Sequence, residues 1–113
     1  NLWTQLTKGI RFLDLRVKSD GWLYHGPMCC TLTLEAALQT CATFLQQHVG
    51  EVLLARIKDE ERGGSSGEHV HQLVRALARR GLPLRLEPEL PRLGDARGRI
   101  VVLQDWDGPE ELA

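Results

Sequence analysis

The sequence predicts an α/β fold whose strands are mainly parallel. Segments of strand and helix character alternate along it, in the order strand, strand, helix, strand, helix, strand. One run, Val52–Ile57, is nearly all apolar, as suits a parallel strand buried on both faces. Two longer stretches carry apolar residues at helical spacing with capping residues at their ends. At 113 residues, with 42% hydrophobic and 26% charged residues, the chain fits one globular domain at most.

Each element has its own local reason. Phe12–Val17 is a short run in which apolar residues alternate with charges, and Ser19-Asp20-Gly21 then signals a turn. Trp22–His25 is the second strand, ending at Gly26-Pro27. Leu34, Ala37, Leu38, Cys41, Phe44, Leu45 and His48 form a helical stripe, with Thr33 as N-cap and Gly50 just past the end. Val52–Ile57 follows, and Gly63–Gly67 reads as a flexible loop. A second helix is expected from Glu68 to Arg80, with Val70, Leu73, Val74 and Leu77 facing the core, Gly81 as cap and Pro83 beyond. Leu82–Pro91 reads as irregular and Leu93–Gly98 as a turn before a last strand, Arg99–Gln104. This pattern leaves a doubly wound sheet and a (β/α) barrel equally open. A complete barrel needs about 250 residues, so this chain would hold roughly half of one.

Fourteen Lys and Arg against fifteen Asp and Glu leave a formal charge of −1, which argues against a nucleic-acid partner. No apolar run is long enough for a transmembrane segment, and no signal-peptide pattern opens the chain. It begins at Asn1 and its single methionine is Met28, so it is expected to be a piece of something larger. Three cysteines, with Cys29 and Cys30 adjacent, make neither a CxxC pair nor a zinc quartet, and they read as small buried thiols beside a helix. His69-x-His71 has the wrong helical spacing for a metal pair and reads as a solvated face.

The charges at the strand ends are the candidate chemistry. Asp14 and Arg16 stand two apart and share a strand face, Lys58 and Glu60 repeat the device, and His25 closes the second strand. The plain alternative is a set of solvated ends making structural ion pairs. Convergence at one rim favours a site: such groups can bind a phosphodiester, neutralise its developing charge and protonate a leaving oxygen.

Four blocks then stand in order: Gly9-Ile10-Arg11-Phe12-Leu13-Asp14-Leu15-Arg16, Tyr24-His25-Gly26-Pro27, Ile57-Lys58-Asp59-Glu60, and Leu93-Gly94-Asp95-Ala96-Arg97-Gly98-Arg99-Ile100-Val101. Together they resemble the X-domain of the bacterial-type phosphatidylinositol-specific phospholipase C family, over nearly the whole chain. The resemblance implies part of a distorted (β/α)8, TIM-like barrel spanning residues 1–113. The first strand, with the base histidine of a His-Asp motif, would lie before residue 1, and the rest of the barrel after residue 113. It also implies cleavage of phosphatidylinositol, at a membrane surface, to diacylglycerol and a cyclic inositol phosphate. His25 matches the general acid, Arg16 the phosphate contact, Asp14 its neighbour, and Lys58 and Glu60 the inositol pocket. No cofactor is implied. Arg16 and Lys58 stand where calcium-dependent relatives carry carboxylates, which points to the metal-independent branch.

Two residues depart from the family pattern. Asp105 stands where bacterial members often carry a basic residue, and Arg56 shares the parity of Lys58 where a smaller residue is usual. Both bear on which head group is accepted. The competing readings are a non-catalytic phosphoinositide or anion-binding module and, less favoured, a glycerophosphodiester phosphodiesterase, whose site is built on carboxylates and metal.

Overall fold

The computed structural model describes residues 1–25, 28–60 and 67–106, with only the backbone at residues 25 and 28–31. The elements run α1 (Leu2–Thr7), β1 (Phe12–Val17), β2 (Trp22–His25), β3 (Met28–Thr33), α2 (Leu34–Gln47), β4 (Leu53–Asp59), α3 (Glu68–Arg79), β5 (Leu84–Arg85), α4 (Leu93–Ala96) and β6 (Ile100–Asp105). The strands form one sheet in the order β3-β2-β1-β4-β6-β5. β1, β4, β6 and β5 are parallel, whereas β2 runs antiparallel to both β1 and β3.

The predicted alternation of strand and helix holds, with four additions. α1 is too short for a periodic stripe; Asn1 starts it by accepting the Thr4 N–H at 2.8 Å. β3 completes a hairpin where the sequence reading stopped at Gly26-Pro27, two residues that lie outside the described ones, as does most of the Gly63–Gly67 loop. The stretch read as irregular contains β5, whose two residues pair with Ile100 and Val101 of β6. The Leu93–Gly98 turn contains the single helical turn α4.

Helix ends follow their capping chemistry. Thr33 accepts the Ala36 N–H at 3.1 Å and starts α2. α2 stops at Gln47 with His48 as its cap, short of Gly50. Past α3, Gly81 has φ +100°, the left-handed region that costs glycine little. Gly81 N–H donates to Ala78 and Leu82 N–H to Leu77, the paired bonds of a Schellman ending.

Period-two patterning sorts the sheet into two faces. Leu13, Leu15 and Val17 of β1 lie in register beside Ala55, Ile57 and Asp59 of β4, and Ala55 lies beside Val102 of β6. The apolar members of this set, with Leu53 and Ile100, are buried against α2 and α3. The opposite face carries Phe12, Asp14 and Arg16, then Leu54, Arg56 and Lys58, then Val101, Leu103 and Asp105. β4 is therefore not buried on both faces: Leu54, Arg56 and Lys58 are only half-buried. Its apolar run is continuous through Leu54 alone, and the charged parity begins one turn of the pleat later.

The amino end of β1 is anchored separately. Phe44 of α2 meets Trp3 edge-on at 6.0 Å, stacks on His48 at 4.3 Å and carries the Arg11 guanidinium 4.8 Å above its ring. Arg11 also donates to the Leu6 carbonyl at 2.7 Å and to both Glu51 carboxylate oxygens at 3.3 Å. That hydrogen bonding, with the Arg11 charge behind it, holds the Glu51 carboxyl below its ordinary range.

Of the three cysteines, Cys41 is fully buried, and its thiol is pushed up to about 12 by loss of solvent. The side chains of Cys29 and Cys30 lie outside the described ones. We expect Cys41 to resist iodoacetamide at pH 8 in the folded protein and to react within minutes in denaturant, read by peptide mass mapping. Native labelling of Cys41 would contradict this burial.

Candidate active site

The charged face of the sheet gathers six ionised side chains at the carboxyl ends of the parallel strands. The parallel register sets Asp14 beside Arg56, Arg16 beside Lys58, and Lys58 beside Asp105. Side chains of one parity on neighbouring strands are close enough for long cations to reach across. Arg56 Nη1 donates to both carboxylate oxygens of Asp14 at 3.2 Å, and its Nη2 donates to Asp105 at 2.5 Å. Arg16 donates from Nη2 to Asp14 at 3.4 Å, and its Nη1 lies 3.6 Å from Glu60. Lys58 Nζ lies 3.6 Å from the other Glu60 oxygen.

The result is an unbroken alternation of sign: Asp105, Arg56, Asp14, Arg16, Glu60, Lys58. Three cations and three carboxylates leave the set neutral. Both in-strand pairs expected from spacing, Asp14 with Arg16 and Lys58 with Glu60, are present. Glu60 is placed by its backbone, whose N–H donates to the Val17 carbonyl at 2.9 Å and so docks the end of β4 on β1. It is the most enclosed member, with its side chain 19% exposed against 33–45% for the other five. Arg16 is pushed above the ordinary guanidinium range, first by its hydrogen bond to Asp14 and then by the charges of Asp14 and Glu60. It is a permanent cation.

Pairing is tight at one end of the alternation and loose at the other. Arg56 holds its carboxylates at 2.5 and 3.2 Å, whereas Arg16 and Lys58 meet theirs at 3.4–3.6 Å. Loosely paired cations are the ones an incoming anion can take over, and a guanidinium can meet two phosphate oxygens at once.

His25, expected at this rim, stands on a strand that ends elsewhere. β2 runs against β1, so the carboxyl end of β2 is not one of the parallel ends that form the charged rim. The hairpin stays beside β1 through Leu23, which pairs with Val17, one residue past Arg16. The His25 side chain lies outside the described residues. The preceding turn is held by Asp20, which accepts the Trp22 N–H at 3.0 Å and the Tyr24 hydroxyl at 2.5 Å.

Elsewhere, two sequence expectations change. His71 is buried, not solvated: its Nδ1 accepts the Trp106 indole N–H at 3.4 Å, and only His69 of the two is exposed. Trp106 beyond β6 supplies the cover that helix periodicity alone did not reveal. Arg56 and Asp105, noted singly in the sequence, prove to be partners; strand parity plus parallel register was the signal that joins them. Among the described residues, no three His, Cys, Asp or Glu side chains converge as metal ligands. The groove of about 460 Å³ between α2 and the segment after α3, lined by Gln39, Leu45, Val49, Leu82 and Pro83, includes none of the six charged residues.

No protein-family model matches the chain. Among curated proteins it is 29% identical over 109 residues to the 1-phosphatidylinositol phosphodiesterase of Listeria monocytogenes, covering 93% of this chain and 34% of that one. The solved Listeria phosphatidylinositol-specific phospholipase C superposes with a TM-score of 0.75 at 29% identity, over 93% of this chain and 40% of the other. The Staphylococcus aureus phosphatidylinositol-specific phospholipase C superposes with a TM-score of 0.82 at 18% identity, over 100% of this chain and 41% of its own. These relatives identify bacterial phosphatidylinositol-specific phospholipases C as homologues of this chain. The fold in common is a TIM-type barrel, of which the mixed α/β unit described here makes part. The chain spans about a third of the curated relative's length.

The Asp20 contacts yield a pH prediction. The Tyr24 hydroxyl, then the Trp22 N–H, hold the Asp20 carboxyl below its ordinary range. A lowered carboxyl favours folding above its unfolded pKa, and that contribution is lost as pH falls below the ordinary carboxylate range and through the lowered value. Tyr24→Phe should move the Asp20 titration, followed by carboxyl NMR, back towards the ordinary value. An unmoved titration would remove the hydroxyl as the cause.

Proposed function

We propose that this chain supplies the acid and phosphate-binding part of the active site of a phosphodiesterase that cleaves phosphatidylinositol. The observation that carries this reading is the placement of Arg16 and Lys58, loosely paired through Glu60, on the charged face of three parallel strands. The likeness of the chain to bacterial phosphatidylinositol-specific phospholipases C supports the same reading.

In this reading, the inositol 2-hydroxyl attacks phosphorus and loses its proton to a base histidine on a strand before residue 1. The bond from phosphorus to the diacylglycerol oxygen breaks, and a cyclic inositol phosphate forms. Arg16 meets the non-bridging oxygens as their charge develops, in a fork that preorganises the contact. Asp14 orients Arg16, while Lys58 and Glu60 face the inositol ring. His25, carried by the hairpin beside β1, gives its proton to the leaving oxygen and later takes one from water. The fixed charges of Arg16 and Lys58 fill the place of a divalent cation.

In the full-length protein, His25→Ala should lower kcat on phosphatidylinositol by about 10²–10⁴-fold and leave the fold intact by circular dichroism. A substrate with a phenolate leaving group needs little protonation and should be spared most of that loss. Equal losses on both would remove His25 as the acid.

Arg16→Lys keeps the charge but not the fork, and should cost about 10²–10³-fold in kcat. Activity of the unsubstituted protein should survive EDTA. Loss on chelation, restored by Ca²⁺, would overturn the metal-free mechanism.

A further inference from the structure

We infer that Arg56 is a positioning residue that acts through Asp14: by taking both oxygens of that carboxylate, it leaves Arg16 loosely held and available to an anion. This role rests on the reading that Arg16 meets phosphate, and it extends that reading to a residue with no contact to Arg16 of its own among the ion pairs described.

Asp14 is shared by two guanidinium groups. Arg56 contacts both its oxygens at 3.2 Å, and Arg16 contacts one of them at 3.4 Å. A carboxylate has about four lone-pair sites, and Arg56 Nη1, bridging both oxygens, competes with Arg16 for them. Arg56 is itself fixed from the other side by Asp105, at 2.5 Å across the register from β4 to β6. Arg56 is thus a bridge whose charge is shared between two carboxylates, and the pairing of Arg16 is weaker as a result. Without Arg56, Asp14 has one guanidinium partner left, and the two stand two residues apart on one strand face. Arg16 would then close on Asp14 and have to be pulled from it by any phosphate. Arg56 and Asp105 therefore belong together: a cation facing Asp14 needs its own carboxylate on the far side to stay placed.

The test is a double-mutant cycle on the full-length protein, with inorganic phosphate as probe and its Kd measured by ³¹P NMR titration. Arg56→Met should weaken phosphate binding by about tenfold. Arg56→Lys should recover part of the loss, because an ammonium still holds Asp14 by one contact. In an Asp14→Asn background, Arg56→Met should change Kd by less than about twofold, because the competing carboxylate charge is gone. A tenfold loss that persists in the Asp14→Asn background would mean that Arg56 meets the anion directly. That result, or no loss in either background, or no phosphate binding by the unsubstituted protein, overturns the inference. Should Arg56→Met fail to fold, Arg56→Lys carries the same cycle with a smaller expected change. Phosphatidylinositol cleavage is assayed in parallel: its absence with the cycle intact would sink the proposed reaction and leave the positioning role standing.

Discussion

Everything in this molecule depends on the parallel register of β1, β4 and β6. Side chains alternate sides every residue along a strand, so a fixed register turns three separate alternations into two continuous faces. One face is aliphatic and closes on α2 and α3. The other collects six ionised groups that are far apart in sequence, from Asp14 to Asp105. A slip of one residue in β4 would drive Arg56 and Lys58 into the helix layer and lift Ala55 and Ile57 out of it. Burial of the aliphatic face enforces the register, and the register builds the charged one. The core and the candidate site are two consequences of one alignment.

Electrostatics on the charged face follow from strict alternation of sign. Each cation there touches a carboxylate, so none of the six stands as an uncompensated charge at a half-buried position. Such pairs contribute little to stability at this exposure. Their value lies in geometry: long, flexible side chains are held in place before a ligand arrives. The gradient from tight pairing at Arg56 to loose pairing at Lys58 sets a direction along the face. The loose end is the one that the proposed function assigns to the phosphate.

Much of this was legible in the sequence, for physical reasons that also mark where legibility stops. β1 and β2 were bounded correctly because turn residues flank short alternating runs, and the start of α2 because Thr33 is a strong N-cap. Five of the six residues of the charged face were identifiable from parity, whereas Asp105 stood out only against the family pattern. Their partners across strands were not, because a sequence fixes which side a residue faces but not which strand lies next to it. Arg56 and Asp105 look like two separate oddities until β4 and β6 are neighbours. α1 and β5 escaped notice because six and two residues carry no measurable period. His71 was misplaced because its cover, Trp106, comes from the other end of the chain.

The anchorage of Arg11 divides β1 into two ends with different duties. At its entry, one guanidinium ties the strand to the Leu6 carbonyl, to Glu51 and to the face of Phe44. At its exit, the side chains of Asp14 and Arg16 are paired with other charged side chains and not with the backbone. Fold and chemistry therefore draw on separate residues of a single short strand. Rim charges can be exchanged in compensating pairs while the foundation beneath them stays untouched. A scaffold of this kind can drift in what it recognises, one swapped pair at a time, without passing through an unfolded ancestor.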